Sequence, residues 1–166
     1  MEEYFDVVDE NDKVINRAKR RECHSNPELI HRAVHIIIFS SRGQILLEKR
    51  SMEKDLYPGM WCDMAGHLDS GESYEDAARR ELKEETGLEA PLKFLFKFRK
   101  DAEKETEFIS VFRCESDGPF RTNPRETQFV KFFDVSEIRK MLEEGYSITP
   151  GTAGTLREYL KSGGSA

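Results

Sequence analysis

The spacing of apolar positions changes period twice along the chain. Residues 4–18 hold two short apolar stretches around Glu10-Asn11-Asp12, the pattern of a β-hairpin. A basic run, Lys19-Arg20-Arg21, follows, and a short helix is expected to start near Pro27. Residues 33–39 form an apolar run, Ser40-Ser41-Arg42-Gly43 reads as a turn, and Gln44 to Lys49 reads as the returning strand. Pro58-Gly59 marks a turn in the loop that ends at Trp61. From Ser70 the period lengthens to that of a helix. Ala77, Ala78, Leu82 and Glu81 lie along one side, Ser73 and Asp76 have the spacing of a capping box, and Gly87 suits a left-handed C′ position. Strand-like runs return at 92–98, 108–114 and 129–133. A helix over 135–144 is expected, capped by Asp134 or Ser136 and stopped by Gly145, and a last helix covers 154–160. This order predicts an α/β protein with a mixed sheet and a helix on each side. No repeat or linker divides the chain, so a single domain over 1–166 is expected, with a flexible tail at 161–166.

Composition narrows the function classes. The 166 residues are 37% hydrophobic and 35% charged, as in ordinary soluble domains. A net charge of −6 argues against an extended nucleic-acid surface, whereas a short phosphate ligand held through a divalent cation needs no basic protein. Cys23, Cys62 and Cys114 form no CxxC pair, which excludes a tetrathiolate zinc site and fits free thiols in a reducing cytoplasm. Ile36 to Phe39 is far too short to span a bilayer, so no membrane partner is expected. Gly151-Thr152-Ala153-Gly154 lacks the Lys-Ser/Thr of a P-loop and reads as a turn and helix start.

The chemistry concentrates on the helix after Ser70. Glu81, Glu84 and Glu85 stand at i, i+3 and i+4, which places three carboxylates on one face. They repel one another unless a hard divalent cation neutralises them; the alternative is a solvated acidic face screened by Lys83. Such a cation bridges diphosphate oxygens and acidifies a water. Arg80 is placed to pair with Glu72 and hold the preceding loop against the helix.

The stretch Gly66, Glu72, Arg80, Glu81, Leu82, Glu84, Glu85, Gly87, Leu88 resembles the signature of the Nudix hydrolase family without a gap. The resemblance implies an alpha/beta/alpha sandwich and a Mg²⁺-dependent attack of water on a diphosphate bond, with Mn²⁺ as a possible substitute. It also implies Glu81, Glu84 and Glu85 as the main metal ligands and Glu72 as a supporting or further one.

A second constellation resembles the type I isopentenyl-diphosphate isomerases. His24 and His31 are separated by six residues, His67 follows the motif glycine, and Glu105-Thr106-Glu107 precedes a strand ending in Val111-Phe112. That resemblance implies that His24, His31, His67, Glu105 and Glu107 hold a metal, and that Arg50 and Lys54 face a diphosphate. Taken singly, each histidine also reads as polar surface or a satisfied core group, with His35 the best case for a packing role, and Glu105 and Glu107 read as the wet face of an edge strand. The chain departs from the isomerases at Ala65, where they carry the catalytic cysteine, and at Phe98, where their supporting tyrosine falls; Cys62 lies three residues too early to substitute.

The expected activity is therefore hydrolysis of a phosphoanhydride in a diphosphate-linked small molecule, with Glu85 or Glu126 as the base. Isopentenyl-diphosphate isomerisation and a non-catalytic diphosphate-binding module are the alternatives. Tyr57 and Trp61 are expected near the pocket, Trp61 with a core role as the alternative. Phe94, Phe96 and Phe98 alternate and so are expected on one face of their strand. A monomer or homodimer is expected.

Overall fold

A computed structural model describes residues 2–54 and 56–164. Among these, β1 (Tyr4–Val8) and β2 (Val14–Lys19) form a separate antiparallel hairpin, followed by the one-turn helix α1 (Arg20–Cys23). The main sheet is built on β3 (His31–Phe39), which runs parallel to β8 (Thr106–Glu115) from His31 opposite Glu107 to Phe39 opposite Glu115. Strand β7 (Lys93–Asp101) lies antiparallel on the far side of β8. On its other flank the first half of β3 pairs with β6 (Met64–His67).

The expected 33–49 hairpin is realised only at its tip. Strand β4 (Ile45–Arg50) pairs with β3 at Phe39 opposite Ile45 and then diverges, to pair with β9 (Thr127–Phe133) and β5 (Trp61–Cys62). The sheet thus forks, with β3 and β6 on one prong and β4 and β5 on the other. The cavity described below opens in that fork.

The two faces of β3 explain the layers. Ala33, Ile37 and Phe39 pack with Ile45, Leu47, Ile109 and Val111 against α3 (Val135–Glu143) and α4 (Pro150–Lys161) through Ile138, Met141, Leu156 and Tyr159. Val34, Ile36 and Ile38 face the other way, against Ala77, Ala78 and Leu82 of α2 (Tyr74–Thr86). Each fully buried Ile or Leu contributes about 1.5–3 kcal/mol. A strand buried on both faces reads as a continuous apolar run, which is what residues 33–39 show. The mixed sheet between helices is the expected architecture.

Some local expectations are corrected. Helix α1 lies before Pro27, which occupies a turn where the Leu29 amide donates to the Asn26 carbonyl at 3.1 Å. The last helix starts at Pro150, because a proline at N1 has no amide to lose and a pre-set φ. Phe94, Phe96 and Phe98 do not share a face. A bulge puts Phe94 opposite Phe112 and Phe96 opposite Val111, so Phe94 packs edge-on with Phe112 while Phe96 and Phe98 join the opposite core. Helix α2 is as expected: Ser73 Oγ accepts from the Asp76 amide at 3.1 Å, and Gly87 has φ +72°. Of the expected flexible tail, residues 165 and 166 lie outside the described residues.

Asp12 ties the hairpin to the body. At φ +60° in the β1–β2 turn, its carboxylate accepts from Arg32 at 2.6 Å, Lys97 at 2.6 Å and Tyr74 at 2.9 Å. Burial pushes its pKa up, but these donors outweigh burial and hold it below the usual value. Removing the acceptor strands two cations and a phenol in a mostly enclosed site. Asp12→Ala should therefore cost about 2–4 kcal/mol in urea unfolding. Asp12→Asn, which keeps an acceptor and tolerates positive φ, should cost less than half of that.

Candidate active site

A cavity of about 610 Å³ occupies the fork. Its lining includes Glu81, Glu84 and Glu85 from α2, His24 and His67 with Glu105 and Glu107 at one end, and Arg50, Lys54, Tyr57 and Glu126 at the other. Residues widely separated in sequence are thus brought to one space.

The acidic helix reaches the cavity because Gly66 has no side chain. A Cβ there would lie 2.0 Å from Glu81 Cδ and 2.1 Å from its Oε1, so any other residue would drive this carboxylate out. Arg80 fixes the rest. Its guanidinium donates to Glu72 at 2.9 and 2.8 Å, Glu81 at 2.6 Å, Glu84 at 3.4 Å and the His67 carbonyl at 2.9 Å. Glu72 also accepts from the Asp69 amide at 3.0 Å, closing the loop onto the helix. These donors outweigh burial and lower the Glu72 pKa. Glu85 accepts from the Ala65 amide at 3.0 Å. Burial, with Glu48 and Glu81 nearby, pushes its pKa well above the usual carboxylate range; burial also raises that of Glu81, against the pull of Arg80. Two enclosed carboxylates short of positive charge, beside the largely exposed Glu84, suit a hard divalent cation.

The histidine cluster is more tightly assembled. One nitrogen of each of His24, His31 and His67 lies within 4.8 Å of the others, and His31 is likewise grouped with Glu105 and Glu107. Among the described residues these are the only sets of three or more His, Cys, Asp or Glu so arranged. His24 Nε2 and His67 Nε2 are 3.3 Å apart, and His67 Nε2 is 2.8 Å from Glu107 Oε1. His31 Nε2, 3.4 Å from the same oxygen, is the one sealed side-chain nitrogen or oxygen among the described residues without a hydrogen bond. Burial, reinforced by the other imidazoles, lowers the His24 pKa to about 4 and also lowers that of His67. Burial pushes Glu107 up, but His31, His67 and Lys100 outweigh it and hold its pKa well below the usual range. Converging imidazole nitrogens around a carboxylate fit a divalent ion, and the orphaned His31 nitrogen is the atom such an ion would satisfy. Glu107 is buried rather than the wet edge of a strand, and it shares Lys100 with Glu105 at 2.8 and 2.7 Å.

At the opposite end, Arg50 donates to the Leu56 carbonyl at 3.2 and 2.9 Å, and Lys54 lies 3.4 Å from Glu126. Trp61 is not in the lining: it packs edge-on against Phe129 and Phe133, with Lys49 over its ring, so its position is the core one. Glu48 and His35 are two of the lining groups that no motif marks. Buried Glu48 accepts from the Cys62 thiol at 3.2 Å and from Thr127 at 2.8 Å; its signal was an ionisable residue inside the apolar strand 45–49. Burial and Glu48 raise the Cys62 pKa well above normal, so its thiol is a neutral donor rather than a nucleophile. The other is His35, paired with Asp63.

Helical carboxylates facing a cavity with Arg50 and Lys54 at its mouth suit the binding of a phosphate group. Comparison with known proteins agrees: the NUDIX domain model matches residues 29–150. An uncharacterised Nudix hydrolase of Yersinia pestis is 33% identical over 160 residues, covering 95% of this chain and 86% of that protein. Isopentenyl-diphosphate Delta-isomerase 1 of Aromatoleum aromaticum is 36% identical over 150 residues, covering 87% and 84%. The crystal structure of DR0079 from Deinococcus radiodurans superposes with a TM-score of 0.82 at 25% identity, covering 94% and 98%. The chain belongs to the Nudix family and is one of its hydrolases. That family generally uses divalent cations. No helix among the described residues is long and apolar enough to cross a membrane.

The His24 shift has a definite sign. Its folded pKa of about 4 lies below the ordinary 6.5, so the unfolded chain takes up the extra proton first. In chelator, the stability difference between wild type and His24→Gln should therefore move against wild type as pH falls from about 6.5 to about 4, then level off. Urea titrations across that window measure it; a difference independent of pH contradicts the assignment.

Proposed function

We propose that the protein hydrolyses a phosphoanhydride in a small molecule carrying a diphosphate, with magnesium or manganese held by Glu81, Glu84 and Glu85. The observation that carries this reading is the passage of Glu81 over Gly66 into a cavity whose mouth holds Arg50 and Lys54. The cation, when bound, supplies charge neutralisation at the diphosphate and acidifies a water. Arg50 and Lys54 bind the phosphate end and set its direction. Glu72 and Arg80 hold the helix in register. Glu126 stands beside Lys54 at the mouth, placed to take the proton of the attacking water there, while Glu85, tied to the Ala65 amide, is the alternative acceptor deeper in the cavity.

A second reading has one observation in its favour: the assembled set of His24, His31, His67, Glu105 and Glu107, together with isomerases among the relatives. Against it, Ala65 offers no proton at the position before Gly66, although the neutral Cys62 thiol does line the cavity. We assign the histidine set to a second metal that shapes the pocket at the end away from Arg50 and Lys54. Cytoplasmic location, and a monomer or homodimer, complete the proposal; the three cysteines are free and buried, as that location allows.

The test is incubation with Mg²⁺ and a panel of isopentenyl diphosphate and nucleoside diphosphates, following phosphate release and double-bond migration together. Release should fall about 10²-fold or more in Glu84→Gln. Isomerised product without phosphate release would overturn the hydrolase reading.

A further inference from the structure

Lys100 is a cation inside the cavity that the proposed reaction does not use. It lies on β7 directly opposite Glu107 on β8, so the two side chains share one face of the sheet. Its Nζ donates to Glu107 Oε2 at 2.8 Å and to Glu105 Oε1 at 2.7 Å. The Lys100 side chain is only 17% exposed and that of Glu107 5%. Glu105 stands in the turn between the two strands, which the Ala102 amide closes by donating to the Glu105 carbonyl at 2.9 Å. The lysine is therefore held between two carboxylates in a mostly enclosed place, where removing either partner leaves a buried charge uncompensated.

This ion pair divides the side chains around the histidines. The two oxygens of Glu107 have different partners. Its Oε1 lies 2.8 Å from His67 Nε2 and 3.4 Å from His31 Nε2, whereas Oε2 belongs to Lys100. Glu105 comes within 4.8 Å of His31 and Glu107, yet its Oε1 is bound by Lys100 and its Oε2 stays 4.0 Å from His24 Nε2, beyond hydrogen-bond reach. The donors left facing one another are three imidazole nitrogens and the single oxygen Oε1 of Glu107. The isomerase resemblance implies two carboxylate ligands; the ion pair leaves one.

We propose that Lys100 is a fixed counter-cation that withholds Glu105, and the second oxygen of Glu107, from the ion at the histidine set. It is a positioning residue, acting through the two carboxylates. The ion is then held by His24, His31, His67 and Glu107 Oε1. This rests on the second-metal reading above. The consequence is electrostatic. A divalent ion on neutral imidazoles balances two carboxylates, so the charge of Lys100 is left over and makes this end of the cavity positive toward an anionic substrate. With an uncharged side chain at position 100 the same group would be neutral, and it would bind its ion more tightly through a second carboxylate.

A double-mutant cycle on metal affinity tests this. Chelator-stripped Glu84→Gln protein, in which the α2 carboxylates are weakened, is titrated with Co²⁺ and followed by visible absorption, which responds to the number and kind of ligands. In this background Glu105→Gln should leave affinity and spectrum unchanged, whereas Glu107→Gln should weaken binding about tenfold or more. Lys100→Met should tighten binding about tenfold and change the spectrum as oxygen ligands join. Adding Glu105→Gln to Lys100→Met should then cancel most of that gain. With Lys100 in place, a loss from Glu105→Gln equal to that from Glu107→Gln overturns the proposal. So does a folded Lys100→Met protein whose spectrum is unchanged or whose affinity falls. Glu105→Gln decides the question alone if Lys100→Met does not fold. A Co²⁺ band that survives His24→Gln unchanged overturns the second-metal reading, and the proposal with it. No diphosphate is present, so the hydrolase reading stands apart from every one of these results.

Discussion

One guanidinium holds the acidic centre together. Arg80 joins Glu72 in the loop, Glu81 and Glu84 on the helix, and the carbonyl of His67 on the adjacent strand. Without it, a helix face bearing several carboxylates would repel itself and the loop that must pass beneath it. Its own pKa is raised by these partners, Glu72 foremost, so it stays charged at any accessible pH. Gly66 supplies the complementary absence, a backbone thin enough for Glu81 to cross. Both depend on the fork in the sheet, since a β4 strand zipped fully onto β3 would leave no cavity for the carboxylates to enter.

Two acidic environments of opposite character share that cavity. Around α2, burial raises the pKa values of Glu81 and Glu85, leaving a site short of positive charge. In the histidine set, Glu107 is already compensated by imidazoles and Lys100, and its pKa falls. The first suits a cation that comes and goes with a diphosphate. The second suits a resident ion, since its ligands are converged and one nitrogen is otherwise orphaned. A family whose relatives include both hydrolases and isomerases is consistent with one cavity serving different chemistries through such a pair of centres.

The pattern of residues made much of this legible. Spacing alone located α2, its Ser73 cap and its Gly87 stop, because local hydrogen bonds determine them. The acidic face was legible for the same reason. What escaped depends on long-range pairing. The divergence of β4 from β3 cannot be read from an apolar run, since it is decided by competition from β9 and β5. The Phe94/Phe96 bulge breaks a perfect alternation without any glycine to signal it. Trp61 has the composition of a pocket aromatic but finds Phe129 and Phe133 beside it. His35 reads as a packing residue within an apolar strand; its partners Asp63 and Thr155 lie 28 and 120 positions away and share no motif with it.

The central claim is that one cavity holds two separable metal centres, one on the α2 carboxylates and one on the histidine set. Anomalous diffraction from crystals soaked in Mn²⁺ tests it most directly, comparing wild type with Glu84→Gln. The account predicts a peak among His24, His31, His67 and Glu107 in both proteins, and a second peak beside Glu81, Glu84 and Glu85 that is lost or weakened in the variant. A single peak bridging the two regions, or an ion on α2 with none at the histidines, would contradict it.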